Sequence, residues 1–218
     1  ARARLPLQHA DAVSGCGDSV GGCQADNTAP DDGNVDVDGV HELGRDGTMR
    51  GWRVGRDAMR ELVLVTGASG RLAGFVAEAF AGRQLVLAGR RDLDITDATA
   101  VRRLAADVHP AVIVNCAAFN DVDQAEDAVE EALAVNAFGV RNLARAAAAG
   151  QATLVHYSTD FVFDGETARA YTEGDRTRPQ STYAVSKWLG ERFALEAPGA
   201  FVLRVESLFG CGPEWRGL

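Results

Sequence analysis

Apolar and polar positions divide the chain into two unlike regions. Through residues 1–58 neither a period of 2 nor one of 3.6 is sustained, the mark of a stretch with too little apolar surface to fold upon. From Glu61 the pattern changes. The apolar run "ELVLV" enters a glycine turn, and "RLAGFVAEAFA" follows with apolar positions at helical spacing. "QLVLA" then reads as a strand, a helix follows "DITD", "AVIVN" is the next strand, and a long alanine-rich helix runs to about Ala149. "TLVHYS" is another strand, a polar loop leads to a helix from about Thr182 to Leu195, and "AFVLRVE" closes the series. Apolar runs of strand length alternating with helices predict an α/β fold, a doubly wound parallel sheet of Rossmann type covered on both faces.

The first region also differs in composition. It holds ten of the 24 glycines, and six arginines against ten acidic residues. The expected division is therefore 1–58 as a disordered or non-native extension and 59–218 as the Rossmann domain. Order begins at Met59, so the expected biological start is Met59 or Met49, with the earlier residues as upstream sequence read through. A genuine disordered tail is the alternative.

Charge narrows the function. A net charge of −9 over 218 residues argues against nucleic acid as a partner, because phosphate neutralisation needs a basic face. No run approaches the ~18 apolar residues of a membrane span, and no apolar segment follows the N-terminal arginines as in a signal peptide. The four cysteines, Cys16, Cys23, Cys116 and Cys211, show no metal-type pairing. Cys16 and Cys23 with His9 and His41 are either a zinc set of unusual spacing or unpaired thiols. No metal site is expected, and the cysteine usage fits the reducing cytoplasm.

"TGASGRLAG" follows a predicted strand and opens a predicted helix, the context in which glycines carry a phosphate-binding reading. Gly67 allows the tight turn, and Gly70 lets backbone approach a pyrophosphate at the helix start. The second strand ends "AGRRDLDITD". Arg90 and Arg91 suit the 2′-phosphate of NADPH where an acid would suit NADH; the other reading is two solvated arginines.

Lys187 is the only lysine in the chain, four residues after Tyr183 in "YAVSK". Residues at that spacing share a helix face. A free phenol has a pKa near ~10, and an ammonium about 4 Å away is worth roughly 4 kcal/mol at an effective dielectric near ~20. The expectation is a phenol made acidic by its neighbouring amine, a role arginine's wide planar fork fills poorly. An accidental surface pair is the alternative. "HYSTDFVFDG" adds Ser158 and Thr159 at a strand end, on the sheet edge where α/β folds bind ligands.

Together, "TGASGRLAG", "DLDITD", "VNCAAFNDVDQAE", "AVNAFGVRNLA", "HYSTDFVFDG" and "YAVSK" resemble the extended short-chain dehydrogenase/reductases, and within them the dTDP-4-dehydrorhamnose reductase family, over about residues 59–210. That resemblance implies NADPH- or NADH-dependent reduction of a nucleotide-linked 4-keto sugar in dTDP-L-rhamnose biosynthesis. It places Gly67, Gly70, Arg71 and Leu72 at the pyrophosphate, Asp94 and Ile95 by the adenine, and Ala117, Ala118 and Phe119 along the cofactor. Tyr183 becomes the proton donor, Lys187 binds the nicotinamide ribose, Thr159 polarises the carbonyl and Asp160 lies beside the sugar. The expected partner is the nucleotide-sugar substrate, and a homodimer is compatible.

The departures from the family pattern set the alternatives. Phe161 follows Thr159–Asp160 where related sugar-nucleotide dehydratases carry a glutamate, which favours reduction over water elimination. Ala73 replaces a third glycine. Ser207 stands where a substrate-contacting tryptophan is expected, which opens two other readings. One is a non-catalytic NADP-binding protein resembling the methionine adenosyltransferase beta subunit; the other is a reductase or epimerase of another sugar nucleotide. "CGPEWRGL" reads as the start of a substrate-binding lobe that is largely missing, so the chain is expected to be a fragment that binds cofactor without turning over.

Overall fold

In the computed structural model, residues 62–208 are described together with the strand Val40–Glu42. The Cys16–Cys23 pair, the expected start at Met59 and the terminal stretch from Cys211 lie outside the described residues.

The sheet is built from β1 (Val40–Glu42), β2 (Val63–Thr66), β3 (Leu85–Ala88), β4 (Val112–Asn115), β5 (Thr153–Thr159) and β6 (Phe201–Val205). All its pairings are parallel, in the order β1-β3-β2-β4-β5-β6. The chain leaves β2 for β3 on one side and returns to β4 on the other, so the order reverses between β2 and β4. That switch point opens a crevice at the carboxyl ends of the strands.

Alternation along β2 shows why the sheet is covered on both faces. Leu62 and Leu64 pack into one cluster with Val101, Leu104, Leu143 and Leu154. Val63 and Val65 pack into the other with Ala73, Val76, Leu85 and Val114. A period of 2 with apolar residues on both phases is what a buried parallel strand requires. Truncating a fully buried residue such as Leu64 to Ala costs about 2–5 kcal/mol.

Helices fall where their punctuation lies. Helix α1 (Arg71–Ala79) starts at Gly70 with no side-chain cap. Helix α2 (Ala98–Val108) is capped by Asp97, whose Oδ1 accepts from the Thr99 and Ala100 amides at 2.8 and 3.1 Å. It stops at His109 in the left-handed region, φ 48°. Helix α6 (Thr182–Ala194) begins at Ser181, whose Oγ accepts from the Ala184 amide at 3.2 Å. Glu126 adds a clasp, accepting from the Thr182 amide and hydroxyl at 2.8 and 2.7 Å.

The long alanine-rich helix is not continuous. It is divided into α3 (Gln124–Asp127), α4 (Val129–Leu133), a π-helical turn at Ala134–Gly139 and α5 (Val140–Gly150). Such π turns cluster where a helix serves a site, and this one carries Asn136.

Candidate active site

Both loops at the switch point are shaped by the absence of a side chain. Gly67 has φ +68°, and a Cβ there would lie 2.6 Å from the Ala117 amide nitrogen. The turn after β2 therefore presses against the loop after β4, which no L-residue with a side chain allows. Gly70 follows, its amide donating to the Gly67 carbonyl at 2.9 Å. The first turn of α1 keeps its N–H groups free of side-chain caps, which makes it a seat for an anion.

A trough runs from this turn in both directions. One arm, about 260 Å³, is lined by Gly67, Gly70, Arg90, Asp94, Ile95 and Phe119 among others. The other, about 510 Å³, is lined by Gly70, Arg71, Leu72, Thr159, Tyr183 and Lys187 among others. Ala117 and Ala118 line both arms. A bent, two-armed trough with a glycine turn and a free helix N-terminus at its middle fits a dinucleotide: one arm for each nucleoside, the turn for the pyrophosphate.

In the first arm, Asp94 is exposed and folds back onto its own loop. Its Oδ1 accepts from the Thr96 amide and hydroxyl at 2.9 and 2.7 Å, and the hydroxyl and amide bonds hold its carboxyl below the ordinary value. Arg90 lines this arm and reaches Glu131 on α4 at 3.4 Å. Arg91 lines neither arm.

Beneath the trough a buried polar row crosses three adjacent strands. Thr66 donates to Asn115 Oδ1 at 2.7 Å, and the Ala117 amide donates to the same oxygen at 3.2 Å. With its oxygen so engaged, Asn115 presents its amide to His156 Nδ1 at 3.1 Å, which places the His156 proton on Nε2. Burial first, and the nearby Lys187 charge second, push the His156 imidazole down to about 3, so it stays neutral. The row fixes the loop that floors both arms.

Asn136 is a second anchor. Its Oδ1 accepts from the Phe119 amide at 2.8 Å, and its Nδ2 donates to the Phe119 carbonyl at 3.0 Å and to Ser186 Oγ at 3.0 Å. Ser186 in turn donates to the Tyr183 carbonyl at 2.7 Å. One side chain from the π turn thus ties the cofactor-facing loop to α6. Gly190 allows the approach, since a Cβ there would overlap the Asn136 carbonyl.

Tyr183, Lys187 and Thr159 share the wall of the larger arm. Asp160 does not line it; its Oδ1 accepts from the Thr159 hydroxyl at 3.0 Å. Phe161 sets its ring edge-on to Tyr183, centroids 6.1 Å apart. Ser207 is exposed and lines neither arm, whereas Val205, Glu206 and Leu208 line the larger one.

The expected acidification of the phenol is corrected here. Burial raises the Tyr183 phenol above its ordinary value, a hydrogen bond with Thr159 opposes this, and the Asp160 charge adds to the rise. The Lys187 charge is not what governs Tyr183. Its Nζ is committed to the Tyr157 carbonyl at 2.7 Å. Burial also lowers the amine to about 8, against the pull of Glu191.

Sequence reasoning passed over Asn115, Asn136, His156 and Glu191. Asn115, Asn136 and His156 each interrupt an apolar run, the signal that marks a buried hydrogen-bonding role, whereas Glu191 stands beside Arg192 and carries no such signal.

Fold and trough together define a Rossmann-type α/β protein with a dinucleotide-shaped site at its switch point. The RmlD substrate binding domain family matches residues 59–214, and the chain belongs to this family of dTDP-4-dehydrorhamnose reductases. It is 43% identical over 153 residues to the dTDP-4-dehydrorhamnose reductase of Streptomyces griseus, a match covering 68% of this chain and 50% of that one. The Mycobacterium tuberculosis reductase is 42% identical over 159 residues, covering 70% and 52%. Among solved structures, the Bacillus anthracis dTDP-4-dehydrorhamnose reductase in complex with NADP superposes with a TM-score of 0.66 at 35% identity, covering 67% of this chain and 53% of that one. The Clostridium acetobutylicum reductase gives 0.66 at 38%, covering 71% and 56%. The chain spans about half the length of the curated relatives it matches. No described helix is long and apolar enough to cross a membrane.

Proposed function

We propose that the protein acts as an NAD(P)H-dependent reductase of a nucleotide-linked 4-keto sugar, as its relatives' names indicate for dTDP-4-dehydrorhamnose. The observation that carries this reading is the shared wall: Tyr183, Thr159 and Lys187 line the arm that continues directly from the Gly67–Gly70 turn. When bound, the nicotinamide supplies the hydride for the sugar carbonyl. Gly67, Gly70, Arg71 and Leu72 would hold the pyrophosphate, and Lys187 the nicotinamide ribose.

The chain's own work is alignment and proton delivery. On the wall they share, the Tyr183 phenol would give its proton to the carbonyl oxygen, and the Thr159 hydroxyl, which donates to Asp160 here, would turn to polarise that oxygen when substrate binds. Because burial raises the phenol, Tyr183 is in its protonated form across the neutral range. It needs no acidification to serve as a donor. The oxygen it meets becomes an alkoxide, roughly as basic as hydroxide, whose parent water has a pKa of about 15.7. Proton transfer from a phenol to such an oxygen is downhill.

The test is NADPH oxidation by the full-length protein given dTDP-4-dehydrorhamnose, beside a Tyr183→Phe variant. A loss of about 10²-fold or more is expected in the variant. Equal rates would remove Tyr183 as the donor.

A further inference from the structure

Glu191 lies one helical turn beyond Lys187 on α6 and is 2% exposed. Three bonds fix its carboxylate. Ser158 Oγ donates to Oε1 at 2.6 Å, Arg204 Nε donates to Oε1 at 2.8 Å, and a terminal Arg204 nitrogen donates to Oε2 at 2.7 Å. Arg204 is held in its turn, its guanidinium carbon 4.9 Å from the Phe163 ring centroid. Nothing in the proton delivery assigned to Tyr183 and Thr159 uses this carboxylate. A buried ion pair adds little stability over apolar packing, so its place beside the chain's single lysine calls for another role.

Lys187 is 4% exposed, and its amine bonds the Tyr157 carbonyl, the residue before Ser158. Removal of water favours the neutral amine; a carboxylate four residues on, sharing the helix face, favours the charged one. We propose that Glu191 is a positioning residue: its carboxylate, fixed by Ser158 and Arg204, keeps the Lys187 amine charged inside a site that excludes water from it. The usefulness of that charge rests on the reductase reading, because a cationic amine holds ribose hydroxyls as a donor only.

Cys116 after β4, Tyr157 on β5, Tyr183 on α6 and Glu206 after β6 line the same arm as Lys187, and His156 on β5 lies near enough to feel its charge. Burial holds His156 neutral down to about 3, pushes the Cys116 thiol up to about 12 and raises both phenols. None of these four changes charge in the range where Lys187 does.

A single lysine gives a direct readout. Protein carrying [13Cε]lysine shows one side-chain resonance, whose shift follows protonation with no substrate or cofactor present. The wild-type midpoint is expected at about 8. Glu191→Gln is expected to lower it by about one unit or more, a tenfold change in the equilibrium. Glu126→Gln, which removes the clasp at the start of the same helix, is expected to leave it in place. An unchanged midpoint in Glu191→Gln, or an equal shift in Glu126→Gln, overturns the proposal. Should Glu191→Gln not fold, Arg204→Met frees the carboxylate from its counter-charge and is expected to raise the midpoint; a midpoint unchanged or lowered overturns it. Because the resonance needs no turnover, failure of the reductase reading leaves this result standing, and the reverse also holds.

Discussion

Lys187 donates to the Tyr157 carbonyl at 2.7 Å, across the gap between α6 and β5. The bond joins the helix that carries Tyr183 to the strand that carries Thr159, so the geometry of the wall depends on a buried amine. Function and stability pull against each other at this residue.

Folding lowers the Lys187 amine from 10.5 to about 8. Between those values the unfolded chain binds the proton more tightly, so stability rises with pH across that window. Below pH 8 both states are protonated and the cost is fully present, on the order of 3 kcal/mol. The lost Tyr157 bond offsets about 1 kcal/mol of it on substitution. Lys187→Met is therefore expected to unfold at higher urea than wild type at pH 7, with the gap closing as pH rises towards 10.5. A gap that stays constant with pH would show that the buried charge is not its source.

His156 sets the acid side. Its imidazole falls from 6.5 to about 3 on folding. As pH drops from 6.5 the unfolded chain takes up a proton that the folded one refuses, and stability is lost until about pH 3. The full cost is on the order of 5 kcal/mol. His156→Gln keeps an acceptor for Asn115 and is expected to flatten the acid limb of a urea-stability profile measured from pH 7 to 4. Parallel limbs in both proteins would place the acid sensitivity elsewhere.

The strands and the glycine turn were legible because their causes are local. β2, β3 and β4 are apolar runs bounded by turns, and Gly67 sits where a strand gives way to a helix. The helix from Thr182 was legible from its spacing, and the structure adds Ser181 as its cap. The π turn in the alanine-rich helix was not. It depends on Asn136 meeting Phe119, 17 residues earlier, and on Gly190, 54 positions later in the numbering, leaving room for its carbonyl. The state of Tyr183 was misread for the same reason. Spacing placed Lys187 on its face, while the partner that claims the amine comes from β5, 30 residues away in sequence.

Gly190 turns that long-range dependence into a measurement. A methyl there would overlap the Asn136 carbonyl, whereas at Gly150, at the end of α5, nothing lies within 4 Å. Gly190→Ala is expected to cost about 1–3 kcal/mol through overpacking. Gly150→Ala is expected to add about 0.4–1 kcal/mol by reducing the freedom of the unfolded chain. Urea melts of the two variants give opposite signs if the close approach is real; a neutral Gly190→Ala would mean the π turn yields easily.

Arg90 decides the proposed cofactor preference. Its side chain is 79% exposed and its bridge to Glu131 is long, 3.4 Å, so breaking that bridge costs at most about 1 kcal/mol. A 2′-phosphate at the mouth of the same arm carries more charge than one carboxylate and draws the guanidinium to itself. NADH has no such group. Arg90→Ala is therefore expected to weaken NADPH binding by about tenfold or more, ~1.4 kcal/mol, and NADH binding far less. Arg91→Ala, a change outside the trough, is expected to leave the ratio of the two affinities unaltered. Calorimetric titration of both nucleotides into wild type and the two variants separates the cases: parallel losses in Arg90→Ala would mean that Arg90 reads no phosphate, and an effect confined to Arg91→Ala would move the phosphate to the neighbouring arginine.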